Sequence, residues 1–519
     1  SFFFTQNHYY TIVAAMLNIT SLLMFHFVSL NIYGKRALWL MIFIGFSGFL
    51  VSIETWLQYH DVFVLFKWSR PGSMITGTIG NANFLGAYLT FPLFALLGLT
   101  FLFKRKRRLV LVALFLFVLA AFLFSRARAG WMGFFLSLPL FFLILKRIFK
   151  ISILEYLRSN AKQAALYSTV LLIMLVSLWA MAPERFRSMM SYRNVTQSDT
   201  LKLRTQKYFR ASFWLFKQSP LFGTGLWSYR NRVYDAQAEI HKIDENFFKN
   251  YPEPKPRRVH NDYLEILNDG GLLAATALLI FLATIMQHGW SIIKDEEIDS
   301  QDRIISATAF CSIIAIMLAA LLFFPFRVNS TLFMTALNLG LMEGIYLRHR
   351  GFINTKESWK SGIRLVFVPL TFLTLLGSIW FVGLKPFMGE LAYFDYKRAF
   401  AQGRPKEAEI FIREALKFDP KNSTYCLYAS QLYLKNMKDF SKARDFLQRS
   451  IIEFNGDLTK WSLYFANGLL NFQTGSLFEA KAAFEKALYY YPAFEAATAK
   501  LEEVNKILKD HDQLIIKLK

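Results

Sequence analysis

His260-Asn261-Asp262-Tyr263-Leu264-Glu265-Ile266-Leu267-Asn268-Asp269-Gly270-Gly271 runs directly into an apolar stretch, Leu272 to Met286. The second part is long enough to enter a bilayer, and the first carries a histidine and three carboxylates at its mouth. A charged group at membrane depth costs about 2.5–3.5 kcal/mol even on insertion scales. Such a cluster marks a place to look for chemistry.

The rest of the chain repeats the apolar half of that pattern. Of its residues 54% are hydrophobic and 17% aromatic, with 54 phenylalanines, and the apolar runs recur at lengths that suit a hydrocarbon core of ~30 Å. No run alternates with period two, which argues against a transmembrane barrel. The expected fold is all-α, a polytopic bundle of membrane helices. Ten spans are expected: Thr11–Tyr33, Ala37–Gln58, Gly80–Phe103, Leu109–Phe124, Ala129–Leu145, Ala164–Ala182, Tyr263–Met286, Ile304–Phe324, Thr331–Leu347 and Ile363–Leu384.

Charge orients them. If the loop after the first span faces the cytoplasm, the short inner loops hold 18 basic residues. The short outer loops hold five: Lys67, Arg70, Arg126, Arg128 and Arg327. The positive-inside bias then puts the long loop 183–262, and everything after Leu384, outside. The net charge of +23 is spread over loops beside membrane segments, which suits anionic headgroups or phosphates rather than nucleic acid. Two cysteines, Cys311 and Cys426, make neither a disulfide nor a metal cluster.

Two domains are expected: 1–385, the membrane unit, and 386–519, a soluble helical repeat. In the second, Ala408, Ile412, Ala415 and Pro420 share their offsets with Ala443, Leu447, Ser450 and Asn455, and with Ala480, Phe484, Ala487 and Pro492. A period of 35 and then 37 residues, small residues at helix crossings and a terminal proline are marks of tetratricopeptide repeats. Stacked repeats bind a protein partner or act as a spacer.

The outer arginines oppose the orientation bias. Arg126, Arg128 and Arg327 sit in tight turns between spans. The long loop, with 15 basic against eight acidic residues, adds Arg185, Arg187, Arg193, Arg204 and Arg210. A guanidinium fork suits phosphate oxygens; anchoring to lipid headgroups is the plainer alternative for any one of them. Arg204 to Gly225 reads as an amphipathic helix that breaks at Pro220 into Gly223-Thr224-Gly225, where glycines permit close backbone approach. His260 has a reference pKa of ~6.5 and can accept a proton from a hydroxyl. Asp262 and Glu265 are near enough to orient it, while Asn261 and Asp262 equally suit a helix cap. No metal-binding motif, phosphate loop or dinucleotide fingerprint is present. Neither a metal nor another cofactor is expected, so any synthesis needs an activated, lipid-borne donor.

These residues resemble the bacterial O-antigen ligase and polymerase superfamily, which includes protein O-oligosaccharyltransferases. His260-Asn261-Asp262-Tyr263-Leu264 with Asp269 and Gly271 is similar to the family's His-Asn-x-x-Leu…Glu-x-Gly signature, with Asp269 for its Glu and Ala274 where Gly is common. Arg128-Ala129-Gly130-Trp131 resembles an Arg-containing turn in which Arg126 competes for the role. Gly80-Asn81-Ala82-Asn83 resembles a Gly-Asn-Pro-Asn segment without its proline, and Arg210 with Pro220 to Gly225 resembles part of the large loop. The likeness covers about Gly77 to Tyr346. It implies about twelve spans, two of them before Ser1, in a metal-independent, inverting glycosyltransferase of the C-type membrane class. Such an enzyme, in the cytoplasmic membrane with its site on the outer face, moves a preassembled glycan from undecaprenyl pyrophosphate to an acceptor glycolipid, glycan or protein hydroxyl. The implied roles are proton acceptance by His260 with Asn261 and Asp262 in support. Arg128 and Arg210 would bind pyrophosphate, helped by Arg126, Arg204 and Arg327; Gly223, Gly225, Asn81, Asn83, Asp269 and Gly271 would shape the site. A glycolipid flippase or scaffold is the non-enzymatic alternative.

Overall fold

A computed structural model describes residues 8–60, 75–150, 202–249, 257–352 and 362–518, with isolated positions between them. Among these residues there is helix and no strand. The membrane unit contains α1 (His8–Asn31), α2 (Lys35–Tyr59), α3 (Ala82–Leu102), α4 (Arg105–Phe124) and α5 (Arg128–Phe149). Two loop helices follow, α6 (Phe209–Gln218) and α7 (Tyr229–Ile243). Then come α8 (Asp262–Lys294), α9 (Ser300–Ala319), α10 (Asn329–His349) and α11 (Gly362–Ser378). Eight helices among the described residues are long and apolar enough to cross a membrane. The expected span at Thr331–Leu347 is the helix α10, less apolar because it carries Asn338 and Glu343. The span expected at Ala164–Ala182 lies almost wholly outside the described residues, as do Arg185, Arg187 and Arg193.

Helices α3 and α9 are buried on nearly all sides, with α5 and α2 packed against them. Small residues allow the approach. A Cβ at Gly133 would lie 2.1 Å from the Ala315 carbonyl oxygen, and one at Gly48 would lie 2.2 Å from Pro92 Cβ. At one end of the bundle several connections converge. Phe84 of α3 meets the rings of Phe323 and Phe324, with centroids 5.6 and 5.7 Å away. The Asp262 N–H donates to Ala320 O at 3.0 Å, and the Tyr263 hydroxyl to Met317 O at 2.8 Å. This is the His260 end.

The last membrane helix does not stop at Leu384. It passes through a wider turn, Ile379–Leu384, into α12 (Lys385–Ala401). Helix α12 pairs with α13 (Pro405–Phe418), α14 (Ser423–Leu432) with α15 (Phe440–Ile452), and α16 (Lys460–Gln473) with α17 (Leu477–Tyr490); α18 (Glu495–Leu518) closes the stack. Of the residues chosen by the sequence period, Ala408, Ile412, Ala415, Ala443, Leu447, Ser450, Asn455, Ala480, Phe484 and Ala487 are buried, whereas Pro420 is exposed and Pro492 half-buried.

The stack also grips the long loop. Lys460 Nζ sits 2.8 Å from Asp235 Oδ2, and Arg230 pairs with Asp457. The hydroxyls of Tyr234, Tyr489 and Tyr491 bond Leu458 O, Glu239 Oε1 and Tyr251 O at 3.1, 2.8 and 3.3 Å. Beneath them Val233, Tyr234, Phe248, Trp461, Tyr490 and Tyr491 share one apolar core. Nothing in the repeat period signals this docking, because its residues lie between and beside the repeat positions.

Candidate functional site

The site is built on a break in α8. At Gly271 the backbone turns to φ 66°, ψ −166°, so a short helix from Asp262 is separated from the membrane-crossing part. A break frees backbone groups that must find partners. The Pro220–Gly225 segment supplies them. Thr224 N–H donates to Asn268 O at 2.7 Å and Gly225 N–H to Asp269 O at 3.0 Å. Leu272 N–H donates to Pro220 O at 2.8 Å. The chains approach backbone to backbone: a Cβ on Gly271 would lie 2.3 Å from Leu221 C and O, and one on Gly223 2.5 Å from Asp269 C. These glycines are the fasteners of loop to membrane helix.

The three carboxylates of the His260 stretch are committed to this joint. Asp262 and Asp269, two turns apart on one helix face, share Arg327, which pairs with Asp269 and lies 3.6 Å from Asp262 by its Nε. Phe326 N–H donates to Asp262 Oδ2 at 2.8 Å, and Trp227 N–H to Asp269 Oδ2 at 2.9 Å. Glu265 takes Arg258 at 2.6 Å and Val259 N–H at 3.2 Å. The hydrogen-bond and ion-pair partners of Asp262 are thus Phe326 and Arg327 rather than His260. Arg327, expected with the phosphate-binding arginines, is a buried tie. Asn261 caps α8, accepting Leu264 N–H at 3.0 Å, and its amide reaches Leu321 O at 3.0 Å.

His260 itself stands apart from the carboxylates. Its backbone is left-handed at φ 61°. The ring is stacked on Tyr208, centroids 6.1 Å apart at 16°, and edge-on to Phe324 at 5.1 Å. Its Nδ1 is buried with no hydrogen-bond partner among the described residues. Burial, then the positive charge of Arg204, push its pKa down to about 4. The imidazole is therefore neutral across ordinary pH, with a free nitrogen.

The arginines divide in two. Arg204 donates to Leu322 O at 3.0 Å; burial lowers its pKa, Tyr208 opposes that and the charge of Arg128 adds to it. Arg128, exposed at the start of α5, is thus within electrostatic reach of Arg204. The turn presenting it is fixed by Ala127 against Gly86 and by Trp131 Nε1 donating to Phe122 O at 3.0 Å. Arg126 occupies the same turn at φ 58°, half-buried. Arg210 is elsewhere. Tyr208 and Ser212 face the site, Ser212 through its hydroxyl on the Asn268 amide, whereas Arg210 pairs with Asp244 and lies over Phe247. On a helix a residue two positions from Tyr208 points the other way. Asn81 caps α3, accepting Asn83 N–H at 2.8 Å.

With that geometry in view, residues 113–282 match the family model described as O-antigen ligase. This match, over about a third of the chain, supports a relation to the O-antigen ligase superfamily. No curated protein matches the chain. The match supports, in general terms, a membrane glycosyltransferase of the ligase and polymerase kind. The matched segment contains Arg126, Arg128, Arg204, the Pro220–Gly225 fastener and the whole of His260 to Gly271.

Three residues of this site escaped sequence reasoning. Arg258 lies over Trp227 at 4.8 Å and near Phe324 at 5.8 Å while holding Glu265, and Tyr208 and Phe324 clasp the imidazole. A basic residue two places before the histidine was a visible signal, but its aromatic partners are 31 and 66 residues away in the chain. Below the joint, α1, α8 and α10 enclose a largely apolar cavity of about 380 Å³ whose polar end is Asp269 and Arg327.

Proposed function

We propose that this protein transfers a preassembled glycan from a polyprenyl pyrophosphate to an acceptor hydroxyl, at the outer face of a bacterial cytoplasmic membrane. The observation that carries the reading is the neutral imidazole of His260, its Nδ1 without a hydrogen-bond partner among the described residues, beside Arg204, which in turn has Arg128 within electrostatic reach. In the step, the acceptor oxygen forms a bond to the donor sugar C1 as the bond from C1 to the phosphate oxygen breaks. The hydroxyl proton passes to His260. The diphosphate leaves with the bonding electrons, and its growing charge is met by Arg128 and Arg204, worth about 3 kcal/mol per well-placed donor. Attack from the face opposite the leaving group inverts C1. No residue in this scheme requires a metal.

Two features favour this assignment of arginines. Arg204 is held over the His260 side by Leu322 O, and Arg210 is engaged with Asp244. The bundle-end position of the joint fits a substrate that arrives through the lipid. The positive-inside count supports an outward-facing site. Small residues buried at the crossings of three helical hairpins support reading 386–519 as tetratricopeptide-like repeats. Their hold on α7 favours a role in fixing the loop.

The test is transfer by the purified chain from a lipid-linked oligosaccharide with metal chelated. His260→Ala is expected to abolish product while leaving donor binding and expression near normal. Undiminished turnover in that variant refutes the scheme.

A further inference from the structure

A second cavity, of about 820 Å³, opens at the His260 end between α1, α2, α10 and the α11–α12 turn. Its wall combines Glu54, Thr78 and Asn329 with Ile379, Val382 and Phe387. Two things set it apart from the arginine side. The Glu54 carboxylate, one turn before the end of a membrane helix, has no cation and no hydrogen-bond donor on it among the described residues. A carboxylate kept there without a partner is costly unless a ligand or water meets it. Its neighbour Gln58 is already spent, its carbonyl oxygen taking the N–H groups of Thr76 and Gly77 at 2.8 and 2.9 Å. The cavity is also joined to the site. Gly80 lines it, Phe84 four residues on touches Phe324 at 5.7 Å, and Phe324 abuts His260 at 5.1 Å.

We propose that this cavity binds the acceptor, and that the acceptor is a neutral, hydroxyl-bearing amphiphile. Its hydroxyls bond Glu54 and Asn329, and its hydrocarbon lies along Ile379, Val382 and Phe387. A diphosphate or phosphorylated headgroup is repelled by Glu54, so the cavity and the Arg128–Arg204 side sort the two substrates by charge. The word acceptor rests on the glycosyl-transfer reading above; the binding does not.

The probe is n-octyl β-D-glucoside with a diazirine in its chain, applied to the whole chain in lipid nanodiscs and mapped by mass spectrometry. Labelling is expected on 51–60 and 375–387, competed by plain n-octyl β-D-glucoside and not by n-octyl phosphate. Glu54→Gln should weaken competition ~10-fold, the loss of one hydrogen bond to a charged group, and Val382→Trp should abolish labelling by filling the space. In the transfer assay the same Glu54→Gln should raise the KM for n-octyl β-D-glucoside ~10-fold with kcat unchanged. Labelling elsewhere, equal competition by n-octyl phosphate, or a KM unmoved by both variants overturns the proposal. Transfer confined to a peptide hydroxyl overturns it too. A chain that labels as expected yet transfers no glycan fails the transfer reading alone, whereas transfer with unmoved KM fails the cavity alone.

Discussion

Arg327→Met should damage the fold before it damages the chemistry. The Arg327 side chain is 6% exposed, and it holds Asp262, fully buried, and Asp269, 4% exposed. Removing the guanidinium leaves two buried carboxylates with, among the described residues, the Phe326 and Trp227 N–H groups to meet them. Breaking a buried ion pair from one side costs about 3–5 kcal/mol. That is a large fraction of the 5–15 kcal/mol that typically holds a domain. The assay is thermal or detergent-induced unfolding of purified protein, with proteolysis at the 219–227 loop as a local readout. The triple variant Arg327→Met, Asp262→Asn, Asp269→Asn removes all three charges while each amide can still accept its backbone N–H. It should regain most of the loss, because replacing a whole buried pair is close to neutral. Arg128→Met, on an exposed position, should leave unfolding unchanged. If Arg327→Met unfolds like the parent while only donor affinity drops, the buried-tie account is wrong and Arg327 is a phosphate ligand.

His260 should set the acid limb of kcat/KM near pH 4 rather than ~6.5. Bound diphosphate offsets Arg204, so the limb of kcat should lie higher; an acid limb of kcat/KM at 6.5 refutes the buried, Arg204-flanked imidazole. Because the folded state favours the neutral ring, stability from this group is present above about 6.5 and is lost as pH falls through about 4. Arg204→Ala should lower kcat by about 10²–10³, while Arg210→Ala should stay within a few-fold, measured in the same transfer assay; the reverse order would return the role to Arg210. Gly271→Ala places a Cβ 2.3 Å from the Leu221 backbone at a positive φ. It should cost about 1–3 kcal/mol in strain alone and speed amide exchange at Thr224 and Gly225; unchanged exchange would show that the joint tolerates a side chain.

The apolar runs made the membrane helices legible, and shared residue offsets made the core of the C-terminal helical hairpins legible down to Ala408, Ala443 and Ala480. The glycines at 223 and 225 were readable as places of close approach, but Gly271 was not readable as the partner of Gly223, since 48 residues separate them. His260 stood out by its position at a helix mouth, yet its carboxylate neighbours turned out to serve Arg327 and Arg258. Helical phase could have separated Arg210 from Tyr208 in advance. No local pattern, however, places Arg204 beside Leu322 or lays Tyr208 on His260. Those depend on how a long loop returns across the end of a bundle. The docking of α7 on the repeats was equally invisible, because Asp235 and Lys460 look like ordinary surface charges until they meet.

The unbroken run from α11 through Ile379–Leu384 into α12 makes the chain a closed mechanical circuit. One arm is the last membrane helix, which the repeat stack extends as a stiff lever; the lever's far end is bolted to α7, and the loop returns to the bundle at the glycine joint. The placement of the segment that carries the histidine's clasp is therefore fixed from two sides, by the membrane bundle and by the helices that continue its last span.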